Sequence, residues 1–301
     1  YSAPSGSKIV ARLNVGYNPS GTIPLQSEYG DFAQRVENFV AASSGCDTWI
    51  IGNETNLVVE WPVKADNTYQ YISPAMYADC FVQCYNAIKS IPGKGSDQKV
   101  IVQALAPWGG PFGAGTFADG RSHPGNPDNW CDYMYKMLDE IQSLGVTPDG
   151  IATHINSRGY GPLQGPYGDQ RNQAGGLTLD FSWNVHRDWV QFGIPRGLWN
   201  LPLYGTECNG LNYWGNPDGG AGPEPNLTYP EYTQGWIQDV YASVNDWNQN
   251  AAAHGLPIYR CVNMYRWESD PWTINRATNK STIFSDLQSA ATNNYQWPSH
   301  G

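Results

Sequence analysis

The 301-residue chain is long enough for one large α/β barrel, which takes roughly 250 residues, or for two average domains. Hydrophobic residues at 40% and charged residues at 15% exclude the low-hydropathy, high-charge profile of a disordered chain. The net charge of -10, from 17 basic and 27 acidic residues without a Lys/Arg cluster, speaks against nucleic acid as a partner, because a phosphate backbone is repelled.

Short runs rich in Val, Ile, Leu and aromatics, each bounded by Gly, Pro, Asn or Asp, predict strands at residues 8–14, 48–52, 99–104, 150–155, 201–206 and 259–265. Helical spacing fills the intervals. It predicts a helix over 29–42 with Phe32, Val36, Phe39 and Val40 on one face, and one over 76–91 after the start signal Ser73-Pro74. Further helices are expected over 129–144, 181–192 and 229–253. Strands alternating with helices argue for parallel βαβ units with right-handed crossovers. The Gly/Pro/Asn-rich loops at 16–28, 53–71, 107–128, 156–178 and 208–228 all follow strand ends, and in a barrel they share one rim. The expectation is an α/β fold: a TIM-type (β/α)8 barrel in a single domain over 1–301, with only six strands visible and the first strands lacking or rearranged. No run of 18 apolar residues occurs, so no membrane partner is expected.

The aromatic content is unusual: 13 Trp and 19 Tyr against 8 Phe, with many of the Trp in Gly/Pro/Asn-rich stretches. Amphipathic rings on loops suit the apolar faces of sugars, although large barrels also bury Trp for packing alone. Six cysteines (Cys46, Cys80, Cys84, Cys131, Cys208 and Cys261) form no CxxC pair, so neither a zinc ribbon nor a thioredoxin-type site is suggested. Cys80 and Cys84, four apart on a predicted helix, are each free to reach a different partner, and disulfides are expected without any pairing being preferred. Asn226 and Asn279 open glycosylation-type sequons. The chain begins at Tyr1 without an initiator Met or a signal peptide, as a processed or truncated product does, and a secreted monomer is expected.

The strongest local signal is the run Trp49, Ile50, Ile51, Gly52, Asn53, Glu54, in which an apolar strand ends and an amide and a carboxylate emerge together. A second carboxylate, Glu207, follows Leu203, Tyr204, Gly205 and Thr206 at the end of a later strand. Glycoside hydrolysis needs such a pair, one protonating the leaving oxygen and the other attacking the anomeric carbon or activating water. The bland alternative is that both are solvated strand-end residues.

An Asn-Glu at one strand end, a Glu at the end of a strand three later and a Trp closing the last strand resemble clan A of the retaining glycoside hydrolases. The resemblance implies roles residue by residue. Glu54 is the acid/base, Asn53 binds the sugar 2-hydroxyl, Glu207 is the nucleophile and Trp267 lines the subsite of the cleaved sugar. The run ending in Glu54, with Tyr265, Arg266 and Trp267, also resembles uncharacterised bacterial proteins associated with this clan. In that register residues 8–14 form strand three and the Glu54 strand is four, which leaves no sequence for strands one and two. His154 and Asn156 close the strand before Glu207, where the clan often places a Tyr or His touching the nucleophile.

Arg12 and Asn14, at a strand end, are candidates to orient Glu207 or bind sugar, and an ion pair is the structural alternative for Arg12. Trp108, Trp214 and Tyr265 are candidate sugar platforms. No HExxH, GxSxG, Walker loop or GxGxxG opening a helix is present, so no metal or cofactor is implied. The expected activity is retaining cleavage of a β-linked polysaccharide or oligosaccharide, with β-glucan as the first choice and a carbohydrate as the partner. A catalytically inactive carbohydrate-binding barrel and an inert scaffold module are the alternatives.

Overall fold

The computed structural model describes residues 8–107, 129–156, 171–174, 177–180, 184–209, 232, 234–267, 274–277, 279–293 and 295. The chain divides into two compact units, Tyr1–Ala152 with Phe192–Leu201, and Thr153–Gln191 with Pro202–Gly301.

In the first unit, strand β1 (Val10–Leu13) leads through helix α1 (Tyr29–Ala42) to β2 (Thr48–Ile51). Helix α2 (Pro74–Lys89) leads to β3 (Lys99–Val102), and α3 (Trp130–Ser143) to β4 (Gly150–His154). Strands β1 to β4 are parallel neighbours in chain order, with Val10 opposite Thr48, Thr48 opposite Lys99 and Ile101 opposite Gly150. Every residue of β2 is buried, as expected of a parallel strand covered on both faces, whereas β1 is only half-buried throughout.

The helices follow their sequence signals. Helix α1 buries Tyr29, Phe32, Ala33, Val36 and Val40, spaced along one face, while Phe39, expected on that face, is 57% exposed. Phe39 instead lies edge-on to Trp49 with ring centres 6.1 Å apart. The Lys94 ammonium donates to the carbonyl oxygens of Val40, Ala41 and Ser43, satisfying the C-terminus of α1. Ser73 caps α2 by accepting from the Met76 N–H at 3.2 Å, with Pro74 in the first turn, and Asn129 caps α3 by accepting from the Asp132 N–H at 2.9 Å. Helices α2 and α3 together bury Tyr77, Phe81, Ile88, Met134, Met137, Leu138 and Ile141, each of which stabilises the unit by roughly 1.5–3 kcal/mol.

The second unit takes the end of β4, then the hairpin β5 (Arg171–Ala174) and β6 (Leu177–Asp180). A short helix α4 (Val185–Asp188) runs into a π-turn at Trp189. Strand β7 (Leu203–Cys208), α5 (Trp236–His254), β8 (Tyr259–Met264) and α6 (Lys280–Thr292) complete it. Strand β7 lies between β4 and β8 and is parallel to β8. Gly205 has to be glycine, because a Cβ there would stand 2.8 Å from Ile155 Cδ1 and 3.2 Å from the Cys261 carbonyl oxygen.

Several expectations are corrected. The parallel strands number six among the described residues, two short of a closed eight-stranded barrel. The stretch 156–178, expected as loop, contains β5 and the start of β6, paired antiparallel with Arg171 opposite Asp180. Helix α6 was not expected. The predicted helix over 181–192 is, in its described part, α4 followed by the π-turn, and the 229–253 helix starts at Trp236. None of the six cysteines is joined in a disulfide. Cys80 and Cys84 share the buried face of α2, and burial first, then the adjacent Cys84, push the Cys80 thiol well above its ordinary range.

Candidate active site

The first unit presents Asn53 and Glu54 immediately beyond β2. Gly52 turns the chain at φ +78°, where an added Cβ would meet Ile23 Cγ2 at 3.1 Å. Glu54 itself has φ +42°, a conformation that costs a non-glycine residue about 1–3 kcal/mol and persists only where the surroundings over-determine it.

Those surroundings extend the pairing of β2 with β1 and with β3 past the strand ends. The Gly52 N–H donates to the Leu13 carbonyl at 3.0 Å and the Glu54 N–H to that of Ala104 at 2.9 Å. Gln103 Oε1 accepts from the Thr55 N–H at 3.3 Å. The Asn56 side chain imitates a strand neighbour, donating to the Ala106 carbonyl at 2.9 Å and accepting from its N–H at 3.0 Å. From α2, the Tyr77 hydroxyl donates to the Ile51 carbonyl at 2.7 Å and accepts from the Gln103 N–H at 2.9 Å. Trp61 Nε1 donates to the Thr55 carbonyl at 2.7 Å. Glu54 therefore projects from a backbone fixed on both sides, as a reacting group requires.

Asn53 is fixed by its side chain. Arg12 Nη1 donates to Asn53 Oδ1 at 2.6 Å, and Asn53 Nδ2 donates to Glu60 Oε1 at 3.4 Å. A guanidinium only donates and a carboxylate accepts, so the pair sets which end of the amide is oxygen and which is nitrogen. Asn14, beyond the end of β1, carries a buried Oδ1 with no hydrogen-bond partner among the described residues.

The second unit presents Glu207 near the end of β7, with its main chain held by the Ile155 N–H donating to the Glu207 carbonyl at 2.9 Å. His154, completely buried, places Nε2 3.6 Å from Glu207 Oε1, an ion-pair contact when the ring is protonated. Trp189 Nε1 donates to the His154 carbonyl at 3.1 Å and anchors the strand end behind it. Asn156 Oδ1 is buried without a hydrogen-bond partner among the described residues. The Tyr265 N–H donates to the Cys208 carbonyl at 2.9 Å, carrying the β7–β8 pairing one residue past Glu207. Trp267 is 53% exposed, with one face stacked on Phe284 of α6 at 5.7 Å and an interplanar angle of 20°.

The structure thus brings Arg12 to Asn53 and His154 to Glu207. Trp108 and Trp214 lie outside the described residues. Sequence reasoning missed Glu60, which is 6% exposed, and Trp189, which is completely buried. Glu60 carried a signal: it is a lone acid in the apolar run Leu57, Val58, Val59, Glu60, Trp61. Trp189 carried none, because its role depends on a strand 35 residues away.

No family model and no curated protein matches the chain. Among solved structures it is similar to a GH128 (subgroup I) endo-beta-1,3-glucanase from Amycolatopsis mediterranei, at 13% identity over 95% of this chain and 85% of that one, with a TM-score of 0.47. It is also similar to the GH53 catalytic domain from Ignisphaera aggregans, at 15% identity over 79% of this chain and 57% of that one, with a TM-score of 0.43. A third is XEG5B, a GH5 xyloglucan-specific beta-1,4-glucanase from a ruminal metagenomic library, at 10% identity over 94% and 70% of the two chains and a TM-score of 0.45. All three of these structures are glycoside hydrolases.

Proposed function

We propose that the chain is a retaining β-glycoside hydrolase acting by double displacement, with both units forming one catalytic domain. The observation that carries the reading is that Glu54 and Glu207 each stand at the C-terminal end of a parallel strand, on backbone pinned by the neighbouring strand. In this reading Glu54 protonates the glycosidic oxygen as the bond to the anomeric carbon breaks. The Glu207 carboxylate attacks that carbon and forms a glycosyl ester. Glu54, now a carboxylate, takes a proton from water, whose oxygen displaces Glu207. The mechanism requires the two carboxyl groups to stand about 5–5.5 Å apart across the substrate.

The N–H that Asn53 turns away from Arg12 is a donor for a hydroxyl next to the reacting carbon, a bond that strengthens as positive charge develops there. His154, with Nε2 3.6 Å from Glu207 Oε1, is the group that orients the Glu207 carboxylate in this reading. A β-glucan is the first polymer to test, ahead of mannan, galactan and xylan, and a secreted monomer is part of the proposal.

The test is reducing-sugar release from those polymers, followed by azide rescue on an activated aryl β-glycoside. Glu54→Ala and Glu207→Ala should each lose about a thousandfold or more. Azide should then give the α-glycosyl azide with Glu207→Ala, by one displacement, and the β-glycosyl azide with Glu54→Ala, by two. Polymer retention without cleavage, equal in all three proteins, would make the chain a carbohydrate-binding barrel instead.

A further inference from the structure

Glu60 ends the short turn Val58–Glu60 and is 6% exposed, and taking a carboxylate out of water is costly unless it is hydrogen-bonded or paired. The chain between Asn53 and Glu60 folds back on itself. The Leu57 N–H donates to the Glu54 carbonyl at 2.8 Å, the Glu60 N–H to that of Leu57 at 3.0 Å, and Trp61 Nε1 to that of Thr55 at 2.7 Å. The Glu60 carbonyl in turn accepts from the Thr22 N–H at 2.8 Å, which ties the turn to the loop after β1. The turn is closed on the strand end by the side chain itself, with Glu60 Oε1 accepting from Asn53 Nδ2 at 3.4 Å.

Asn53 therefore sits between a group that can only donate and one that accepts. Arg12 takes its oxygen at 2.6 Å and Glu60 one of its two amide hydrogens. Among the described residues the second amide hydrogen meets no protein acceptor, and it shares the rigid amide plane with the first. Its direction is consequently set by Glu60 as much as by Arg12. Were the amide reversed, a carbonyl oxygen would face the Glu60 carboxylate and an NH2 would face the guanidinium, two repulsive contacts in a buried place.

We infer that Glu60 is a specificity-determining positioning residue: it locks Asn53 as a hydrogen-bond donor toward the substrate, so that the site demands a free hydroxyl on the carbon next to the one attacked. The inference rests on the retaining reading above. Glu60 itself touches no substrate in this account.

The experiment compares kcat/KM for a dinitrophenyl β-glycoside and its 2-deoxy analogue in the wild-type chain, Glu60→Ala, Glu60→Gln, Asn53→Ala and the double variant Asn53→Ala/Glu60→Ala. Wild type should prefer the 2-hydroxy substrate by about a hundredfold or more. Glu60→Ala should lose about tenfold or more on the 2-hydroxy substrate and change little on the 2-deoxy one. Glu60→Gln, whose amide oxygen still accepts, should keep most of the discrimination even if Glu60→Ala folds poorly. In the Asn53→Ala background, removing Glu60 should cost nothing further, as coupling through Asn53 requires. Equal losses on both substrates, or an undiminished effect in the double variant, would reduce Glu60 to a prop for its loop. A wild-type chain that cleaves neither substrate would overturn the retaining reading, and this inference with it.

Discussion

Arg12 and Asn53, 41 residues apart and on neighbouring strands, meet through a hydrogen bond of 2.6 Å between Nη1 and Oδ1. The register that places Arg12 opposite Ile50 brings its long side chain level with the residue that emerges beyond Ile51 and Gly52. Removing the guanidinium leaves the Asn53 amide oriented by Glu60 alone. Charge-assisted hydrogen bonds are worth about 1.5–3 kcal/mol, so Arg12→Ala should lower kcat/KM by roughly ten- to a hundredfold on the substrate that the chain cleaves. Arg12→Lys should recover only part of this, because an ammonium lacks the planar fork. Steady-state kinetics on both variants check it, and a loss below about twofold for Arg12→Ala would contradict it.

Gly52→Ala should be harmful out of proportion to one methyl group. The residue is held at φ +78°, and its new Cβ would press on Ile23 Cγ2 at 3.1 Å, with Gln103 Oε1 and Tyr77 Cε2 both at 3.4 Å. The expected cost is about 1–3 kcal/mol in unfolding free energy. Relief of the strain would move the backbone that carries Glu54 two residues on, so activity should fall beyond the stability loss. Denaturant titration alongside kinetics separates the two effects.

Asp286 of α6 gathers three donors in the second unit. Its carboxylate accepts from the Tyr232 hydroxyl and the Gly235 N–H at 2.5 Å each and from Gln238 Nε2 at 2.9 Å, at the start of α5. It is 1% exposed, so Asp286→Ala leaves buried donors without their acceptor. A loss of about 3 kcal/mol or more is expected from urea unfolding, with Asp286→Asn intermediate. The carboxylate also faces the positive end of the α5 dipole, which Asn cannot replace.

Alkaline pH should weaken the second unit. Burial, and then the nearby Cys208 and Cys261 thiols, push the Tyr241 phenol from 10.0 up to about 12. Burial likewise pushes the Cys261 thiol from 9.0 up to about 12. Both groups bind their protons more tightly folded than unfolded, so the stability they contribute is complete below pH 9 and is lost as pH rises toward 12. The thermal midpoint should therefore fall between pH 9 and 11. Tyr241→Phe should flatten that fall while lowering the midpoint at pH 7, since it also removes the hydroxyl's bond to the Val262 carbonyl at 3.0 Å. A pH dependence unchanged in the variant would contradict this assignment.

The sequence by itself determined the six parallel strands, most of the helices between them and the positions of Glu54 and Glu207 at strand ends. All six parallel strands lie within two or three residues of their expected bounds, because β-branched and aromatic runs between Gly, Pro and Asn leave few alternatives. Helix α1 matches its expected range at both ends. The strand-end positions of Asn53, Glu54 and Glu207 were legible because an apolar strand that ends abruptly in polar groups is a local pattern. What only the tertiary structure decided is how those groups are held. The hairpin of β5 and β6 was hidden in a polar stretch whose pairing comes from contact between its halves. Arg12 on Asn53, Glu60 folding back on the same amide and His154 beside Glu207 join residues 41, 7 and 53 positions apart. Such contacts depend on strand register and on the path of a turn, which are settled by long-range packing, and composition and periodicity carry no record of either.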